Sequence, residues 1–278
     1  MMDLSEQQII LFRQKIYNFY QQHRRSFVWR EFITPYAVVV SEIMLQQTQT
    51  ARVIYKFDQW LAIFPTFEKL AQASTVEVLQ CWQGLGYNRR GLALHQCAKR
   101  IVTEFAGKVP QDPELLKTFK GVGPNTAGSI CAFAFNMPVV FIETNIRTVF
   151  IHEFFKDQQM VADKDILLLI AATLDQANPR QWYYALMDYG VYLKKELKVS
   201  NKASRHYTKQ SKFIGSRRQL RGAVVKILTR ARIISYDELQ ELMVLELPDN
   251  RHDMAKVVES LCKEGFLRYQ NNVVQLCG

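Results

Sequence analysis

Cysteine is scarce and scattered in this 278-residue chain. Cys81, Cys97, Cys131, Cys262 and Cys277 show no Cys-x-x-Cys spacing, which argues against a disulfide framework, a zinc site or an iron–sulfur cluster. The first residues, MMDLSEQQII, place acids at Asp3 and Glu6 and lack an apolar core of signal-peptide length. Charge is missing from residues 121–142, yet Asn125, Gly128, Asn136 and two prolines interrupt that run. It reads as a buried core helix and not as a membrane span. No alternation of Val, Ile and Thr suggests a sheet in the first 200 residues, and neither internal repeats nor low-complexity tracts occur. The expectation is an all-α cytoplasmic protein in a reduced compartment, with no membrane partner.

What is present is an ordinary globular composition, 48% hydrophobic and 22% charged, with a formal net charge of +10. The excess is concentrated. Between Tyr192 and Arg232 thirteen Lys and Arg face one acid, Glu196, so this stretch carries +12 and the remainder of the chain −2. Such a run is an electrostatic footprint for a polyanion, although a solvated linker has the same composition. Lys194, Lys195, Lys202 and Lys209 are the candidate phosphate contacts. Residues 196–216 lose apolar periodicity and read as a linker or a DNA-facing loop.

Helical patterns run from the start. Residues 5–23 place Ile9, Phe12, Ile16 and Phe19 on one face, and an aromatic-basic link, SFVWRE, follows. Pro35 opens a helix reading YAVVVSEIMLQQTQ that is apolar nearly all round and therefore buried. Glu42 lies in its middle. A buried glutamate either pairs with an arginine such as Arg30 or Arg52, or keeps a raised pKa and serves as a proton donor near neutrality. Helix starts follow at Pro65, at the Ser74–Glu77 capping box and at Asp112-Pro113, and Gly84-Leu85-Gly86-Tyr87 breaks the pattern.

The stretch FKGVGPNTAGSICAFAFNMPVVFIETNIR, Phe119 to Arg147, sets Gly121-Val122-Gly123 between two helical patterns. Glycines there let backbone N–H groups approach an anion at a helix start, and a plain interhelical turn fits the same spacing. After Lys120 no charge occurs until Glu143. An extended link then reaches Thr144 or Asn145, either a plausible N-cap for a helix through Phe155, with Glu143 just outside it. Helices are expected over 164–176 and from Gln181 to about Lys195. From Arg217 a new unit reads as a helix to Arg230, a capping box at Ser235–Glu238, and a third helix from about Arg251 to Lys263. A hairpin around Asn271-Asn272 follows. Three helices and a hairpin suggest a winged helix, a fold that binds DNA or docks protein.

Three runs, Ser41-Glu42-Ile43-Met44-Leu45-Gln46-Gln47-Thr48-Gln49, Gly84-Leu85-Gly86-Tyr87 and Gly121-Val122-Gly123-Pro124-Asn125-Thr126-Ala127-Gly128, closely resemble the MutY-type adenine DNA glycosylases of the helix-hairpin-helix, or HhH-GPD, superfamily. Trp29-Arg30 and Met187-Asp188-Tyr189-Gly190 keep the same order, and the resemblance covers roughly residues 8–195. It implies that Glu42 protonates the leaving adenine at N7, that Glu143 steadies the cationic sugar, and that Asn145 stands beside it. It further implies Gln46, Gln47 and Thr48 as a wedge into the base stack and Tyr87 beside the lesion pair. Trp29, Arg30 and Asn125 line the base pocket, and Lys120, Gly121, Val122, Gly123 and Thr126 hold the DNA backbone. Cleaving an N-glycosidic bond through an oxocarbenium-like state calls for one acid at the leaving group and one anion at the sugar.

Four departures from that family stand out. Its sugar-side aspartate is Glu143 here, followed by Thr144 in the usual glycine place. Asn125 holds the position of a lysine in bifunctional relatives and of Ser or Tyr in many adenine glycosylases. The four-cysteine iron–sulfur loop after Gly190 is replaced by LKKELKVSNKASRHYTKQSKF, so no cofactor is expected. Where the family carries a Nudix-like domain that reads 8-oxoguanine, a winged-helix-like segment is expected here. The expectation is a monomeric HhH-GPD glycosylase domain over 1–213 with a winged-helix-like domain over 214–278. Such a protein would excise adenine or a related purine from double-stranded DNA; a glycosylase for another base and a non-catalytic DNA-structure binder are the alternatives.

Overall fold

The computed structural model describes residues 4–156, 158–208 and 212–277. Two compact units result, and neither is continuous in sequence. One comprises Met1–Glu42 with Val109–Lys209, the other Ile43–Lys108 with Gln210–Gly278.

In the first unit α1 (Glu6–His23) starts at Ser5, whose hydroxyl accepts from Gln8 N–H while the Gln8 side chain returns to the cap. The expected link at 26–31 contains one helical turn, α2 (Val28–Glu31), and α3 (Pro35–Leu45) follows. The helix expected to run on to Gln49 stops at Leu45, because Gln47 takes a left-handed φ of 55°. Beyond the second unit's α4 (Thr50–Ile63), α5 (Phe67–Gln72), α6 (Thr75–Trp82) and α7 (Arg89–Phe105), the chain returns with α8 (Pro113–Leu116) and α9 (Pro124–Phe135). Then come α10 (Thr144–Phe154), α11 (Asp163–Thr173) and α12 (Pro179–Lys195).

Helix α12 is the hub of this unit, packing on α1, α9 and α10. Its approach to α10 requires Gly190: a Cβ there would lie 2.3 Å from the Asn145 carbonyl oxygen. Gly128 does the same for α9, where a Cβ would meet Phe141 at 2.6 Å. The link between α9 and α10 therefore lies flat on the helices, with Phe141 tilted on Tyr183 at 4.2 Å and the Tyr183 hydroxyl donating to Val139 O. The basic segment is folded where it is described. Asn201–Ala203 forms a 3₁₀ turn, and Val161 and Ser204 form a parallel bridge.

In the second unit the Ser74–Glu77 capping box is fully formed and α7 packs on α5 and α6. The C-terminal segment gives α13 (Arg217–Ala231), β1 (Ile233–Ser235), α14 (Tyr236–Glu246), α15 (Met254–Lys263), β2 (Leu267–Gln270) and β3 (Val273–Leu276). The expected hairpin is present, with Asn271 and Asn272 both at positive φ, the requirement of a tight two-residue turn. Strand β1 was not expected from the sequence. Three residues are too few to show alternation, and β1 forms only because Ile233, Ile234 and Ser235 pair with β3, giving the order β1-β3-β2. This winged helix shares its core with α6: Leu79 packs among Leu220, Val224, Leu228, Val257 and Val274. Gln80 and Gln83 donate to the backbone and side chain of Thr229.

Candidate active site

Glu42 sits on α3 in the first unit, among valines that are nearly inaccessible. Its Oε2 accepts from the Ser129 hydroxyl of α9 at 2.6 Å. Burial pushes its carboxyl up to about 7 from 4.5, opposed by the Ser129 hydrogen bond, with nearby Glu143 raising it further and Arg30 lowering it. Arg30 forms no ion pair with Glu42. It is buried against Asp188, with Nη1 donating to both carboxylate oxygens at 3.0 Å, and its guanidinium lies 4.3 Å over the Tyr184 ring. Arg25 supplies a second partner to Asp188, through its backbone N–H and its guanidinium. With Asp188 claiming both arginines, Glu42 lacks the counter-ion that would hold it ionised.

Glu143 is itself the N-cap of α10, one residue before the caps that the sequence suggested. Asn145 N–H and Ile146 N–H donate to Oε1 at 2.8 and 2.9 Å, and Asn145 Nδ2 donates to Oε2 at 3.2 Å. A helix start favours a carboxylate through its unpaired N–H groups and its dipole. Asn125 turns towards the same link: its Oδ1 accepts from Ile142 N–H at 3.3 Å. Asn201 braces the first turn of α10 from the far side, donating to Thr144 O and accepting from Thr148 Oγ1. Lys194, expected among the backbone contacts, is half-buried; burial lowers its pKa, Glu143 opposes that and Arg25 adds to it. Lys195 and Lys202 are exposed, and Lys209 lies outside the described residues.

At the hairpin, Gly121 has φ 80°, the left-handed region that favours glycine. Gly123 is the N-cap of α9 in ordinary extended backbone, and a Cβ there would meet nothing within 4 Å. Val122 is buried and anchors the turn, while Lys120, Gly121 and Gly123 are exposed and Thr126 is half-buried. Trp29 is a buried residue stacked on Phe27, with ring centroids 5.0 Å apart.

The remaining sequence candidates belong to the second unit. Gln46 is half-buried, Gln47 exposed, and Thr48 Oγ1 donates to Leu85 O. Arg90, which sequence reasoning passed over, organises this corner. Its Nη1 donates to Ile43 O and Met44 O, and its Nη2 to Thr48 Oγ1, Leu85 O and Gly86 O. Tyr87 has φ 46°, and its hydroxyl accepts from Arg218 of α13 at 2.5 Å. Sequence reasoning assigned no role to Arg90 or Ser129 and no partner to Asp188, for one reason. Each is a common residue whose role comes from partners distant in sequence.

The HhH-GPD superfamily base excision DNA repair protein family matches residues 40–169. The match covers 130 of the 278 residues, and it takes in Glu42, the hairpin and Glu143. An adenine DNA glycosylase of Mycobacterium tuberculosis is 43% identical over 131 residues, covering 47% of this chain and 43% of the relative. The human adenine DNA glycosylase is 34% identical over 200 residues, 68% of this chain and 36% of its own length. The chain thus spans less than half of either relative. Among solved structures, a thermostable thymine-DNA glycosylase superposes with a TM-score of 0.63 at 21% identity, over 71% of this chain and 92% of that one. Endonuclease III in a DNA complex gives 0.54 at 18% identity, over 69% and 86%. At those identities the superpositions speak for the HhH-GPD fold.

The first unit does not hold the four cysteines that an iron–sulfur cluster of that type would need. Cys131 is the sole cysteine of the first unit, where the segment after Gly190 lies. It is buried, donates to Gln111 O, and has its thiol pushed up to about 11 by burial. No helix among the described residues is long and apolar enough to cross a membrane.

Proposed function

We propose that this protein is a monofunctional DNA glycosylase that hydrolyses the N-glycosidic bond of adenine, or of a related purine, in mismatched or lesion-containing double-stranded DNA. The observation that carries this reading is the contrast between two carboxylates of one unit. Glu42, with no counter-ion of its own and held near pH 7, is the proton donor to the leaving purine. Glu143, fixed by three N–H donors at a helix start, is the anion for the sugar. A protein that only grips DNA gains nothing from burying Glu42, so the contrast speaks against a purely binding role. Asn145 holds Glu143 in place, and the Gly121–Gly123 hairpin with the start of α9 receives backbone phosphate. The wedge role of Gln46, Gln47 and Thr48 and the lesion-side role of Tyr87 belong to the same reading, as does action as a monomer without an iron–sulfur cluster.

The test is a panel of duplexes, each with a single mismatch or oxidised pair, scored for base loss under single-turnover conditions. Adenine should be released, and Glu42→Gln should lower that rate by at least ~10². Release of another base would redirect the specificity; release of none would sink the catalytic reading. Asn125 stands where bifunctional relatives carry a lysine, so borohydride should trap no efficient protein–DNA adduct.

A further inference from the structure

The hydrogen bond between Ser129 and Glu42 joins residues 87 positions apart and takes only one of the two carboxyl oxygens. Ser129 is 4% exposed, and its hydroxyl has a second acceptor within reach, the Thr126 carbonyl at 3.1 Å. A hydroxyl carries one proton, so it serves one of these acceptors at a time. The 2.6 Å distance to Oε2 lies at the short end of O–H···O hydrogen bonds. The other oxygen, Oε1, takes no hydrogen bond and is not among the buried unpartnered atoms, so it keeps accessible surface.

We propose that Ser129 is a positioning residue for base excision: by donating to Oε2 it directs the exchangeable proton of Glu42 to Oε1, the oxygen open to a bound base. This rests on Glu42 being the acid. In the step itself the Oε1 proton passes to a ring nitrogen of the purine, and the electron pair of the C1′–N bond leaves with the base. Negative charge then spreads over both carboxyl oxygens. The Ser129 bond changes from one made to a neutral acid into a charge-assisted one, so it strengthens as the proton departs. An interaction that grows along the reaction coordinate raises the rate, whereas one equally strong before and after does not. Without Ser129, Oε2 would compete for the proton and hold it on the side turned towards α9.

The charged and titratable groups facing Glu42 are Glu143 at the start of α10, Arg30 on α2 and Tyr184 on α12. The titratable group of α9, Cys131, donates to Gln111 O and is not among the groups that shift Glu42. From α9, the Ser129 hydroxyl is the group that hydrogen-bonds Glu42 and lowers its pKa.

The decisive experiment titrates Glu42 directly, by infrared difference between wild type and Glu42→Gln, and repeats it in a Ser129→Ala background. The midpoint should rise by on the order of one pH unit in Ser129→Ala, the scale of a lost hydrogen bond to a charged group. Single-turnover excision at pH 6 should fall ~10-fold and its alkaline limb should move up with the midpoint. In a Glu42→Gln background Ser129→Ala should cause no further loss. An unchanged midpoint, or a loss of rate that is equal at every pH and persists without Glu42, overturns the proposal. Should Ser129→Ala not fold, the wild-type spectrum decides. The C=O stretch of protonated Glu42 must show the downshift of an accepted hydrogen bond, and an unshifted band refutes the assignment. The titration needs no turnover, so it separates this proposal from the acid role itself, which fails if Glu42→Gln excises normally.

Discussion

Replacing Glu42 by glutamine should stabilise the protein at alkaline pH and leave its stability unchanged in acid. Burial raises the Glu42 carboxyl from 4.5 to about 7, so the folded state binds that proton more tightly than the unfolded chain does. Between those two values the folded state carries more protons, and stability falls as pH rises. Below pH 4.5 both states are protonated and there is no cost; above pH 7 the full cost is present. A shift of this size corresponds to about 3 kcal/mol. Glutamine keeps the volume and an acceptor for Ser129 but never ionises. The stability difference between Glu42→Gln and wild type should therefore be near zero at pH 4.5 and grow to about 3 kcal/mol by pH 8. For a unit of this size that is on the order of 5–10 °C in Tm. Paired thermal melts across this pH range measure it, because every other titrating group is common to both proteins and cancels. A Tm difference that does not change between pH 4.5 and 8 would refute the reasoning: Glu42 would then ionise as it does in the unfolded chain. The same substitution should abolish excision, making Glu42 a residue whose chemistry costs stability.

Other outcomes follow from the same geometry. Glu143→Gln should abolish excision, and Glu143→Asp should lower single-turnover rates by ~10² through a carboxylate about 1 Å short of its place; normal excision by Glu143→Gln would remove the sugar-side role. Gly190→Ala forces a Cβ against the Asn145 carbonyl at 2.3 Å, so α10 and α12 must part. Urea unfolding should show a loss of about 1–3 kcal/mol, accompanied by weaker excision. Arg30→Ala should destabilise by roughly 3–5 kcal/mol, because Asp188 is left buried with only Arg25 to neutralise it. In DNA binding, Lys195→Ala with Lys202→Ala should flatten the plot of log K against log salt by about 0.9 for each phosphate left without its lysine. Lys194→Ala, at a half-buried site near Glu143, should change excision more than the salt slope.

The local grammar of the chain was legible in its residues. Ser74 with Glu77, Asp112 before Pro113 and Ser235 each cap the helix they announce. The all-apolar surface of α3 foretold its burial, and Asn271-Asn272 foretold the final turn. These signals act over a few residues, through backbone hydrogen bonds that a side chain can reach from its own position. Packing decided the rest. Sequence left Glu42 between an arginine partner and a solitary buried acid. The choice fell to Asp188, 158 residues from Arg30, which takes that arginine. Ser129 meets Glu42 across 87 positions, a contact that no local pattern announces. The charge-rich segment after α12 read as a linker or a DNA-facing loop, and Asn201 ties it to the start of α10 through Thr144 and Thr148. Composition records how many charges a segment carries, but a single amide that finds two partners on α10 depends on where the fold places it. The sequence by itself determined most of the helices, several of their starts and the two carboxylates. Only the tertiary structure decided which groups those carboxylates meet, because a side chain's pKa and orientation are set by neighbours that the chain brings together across long separations.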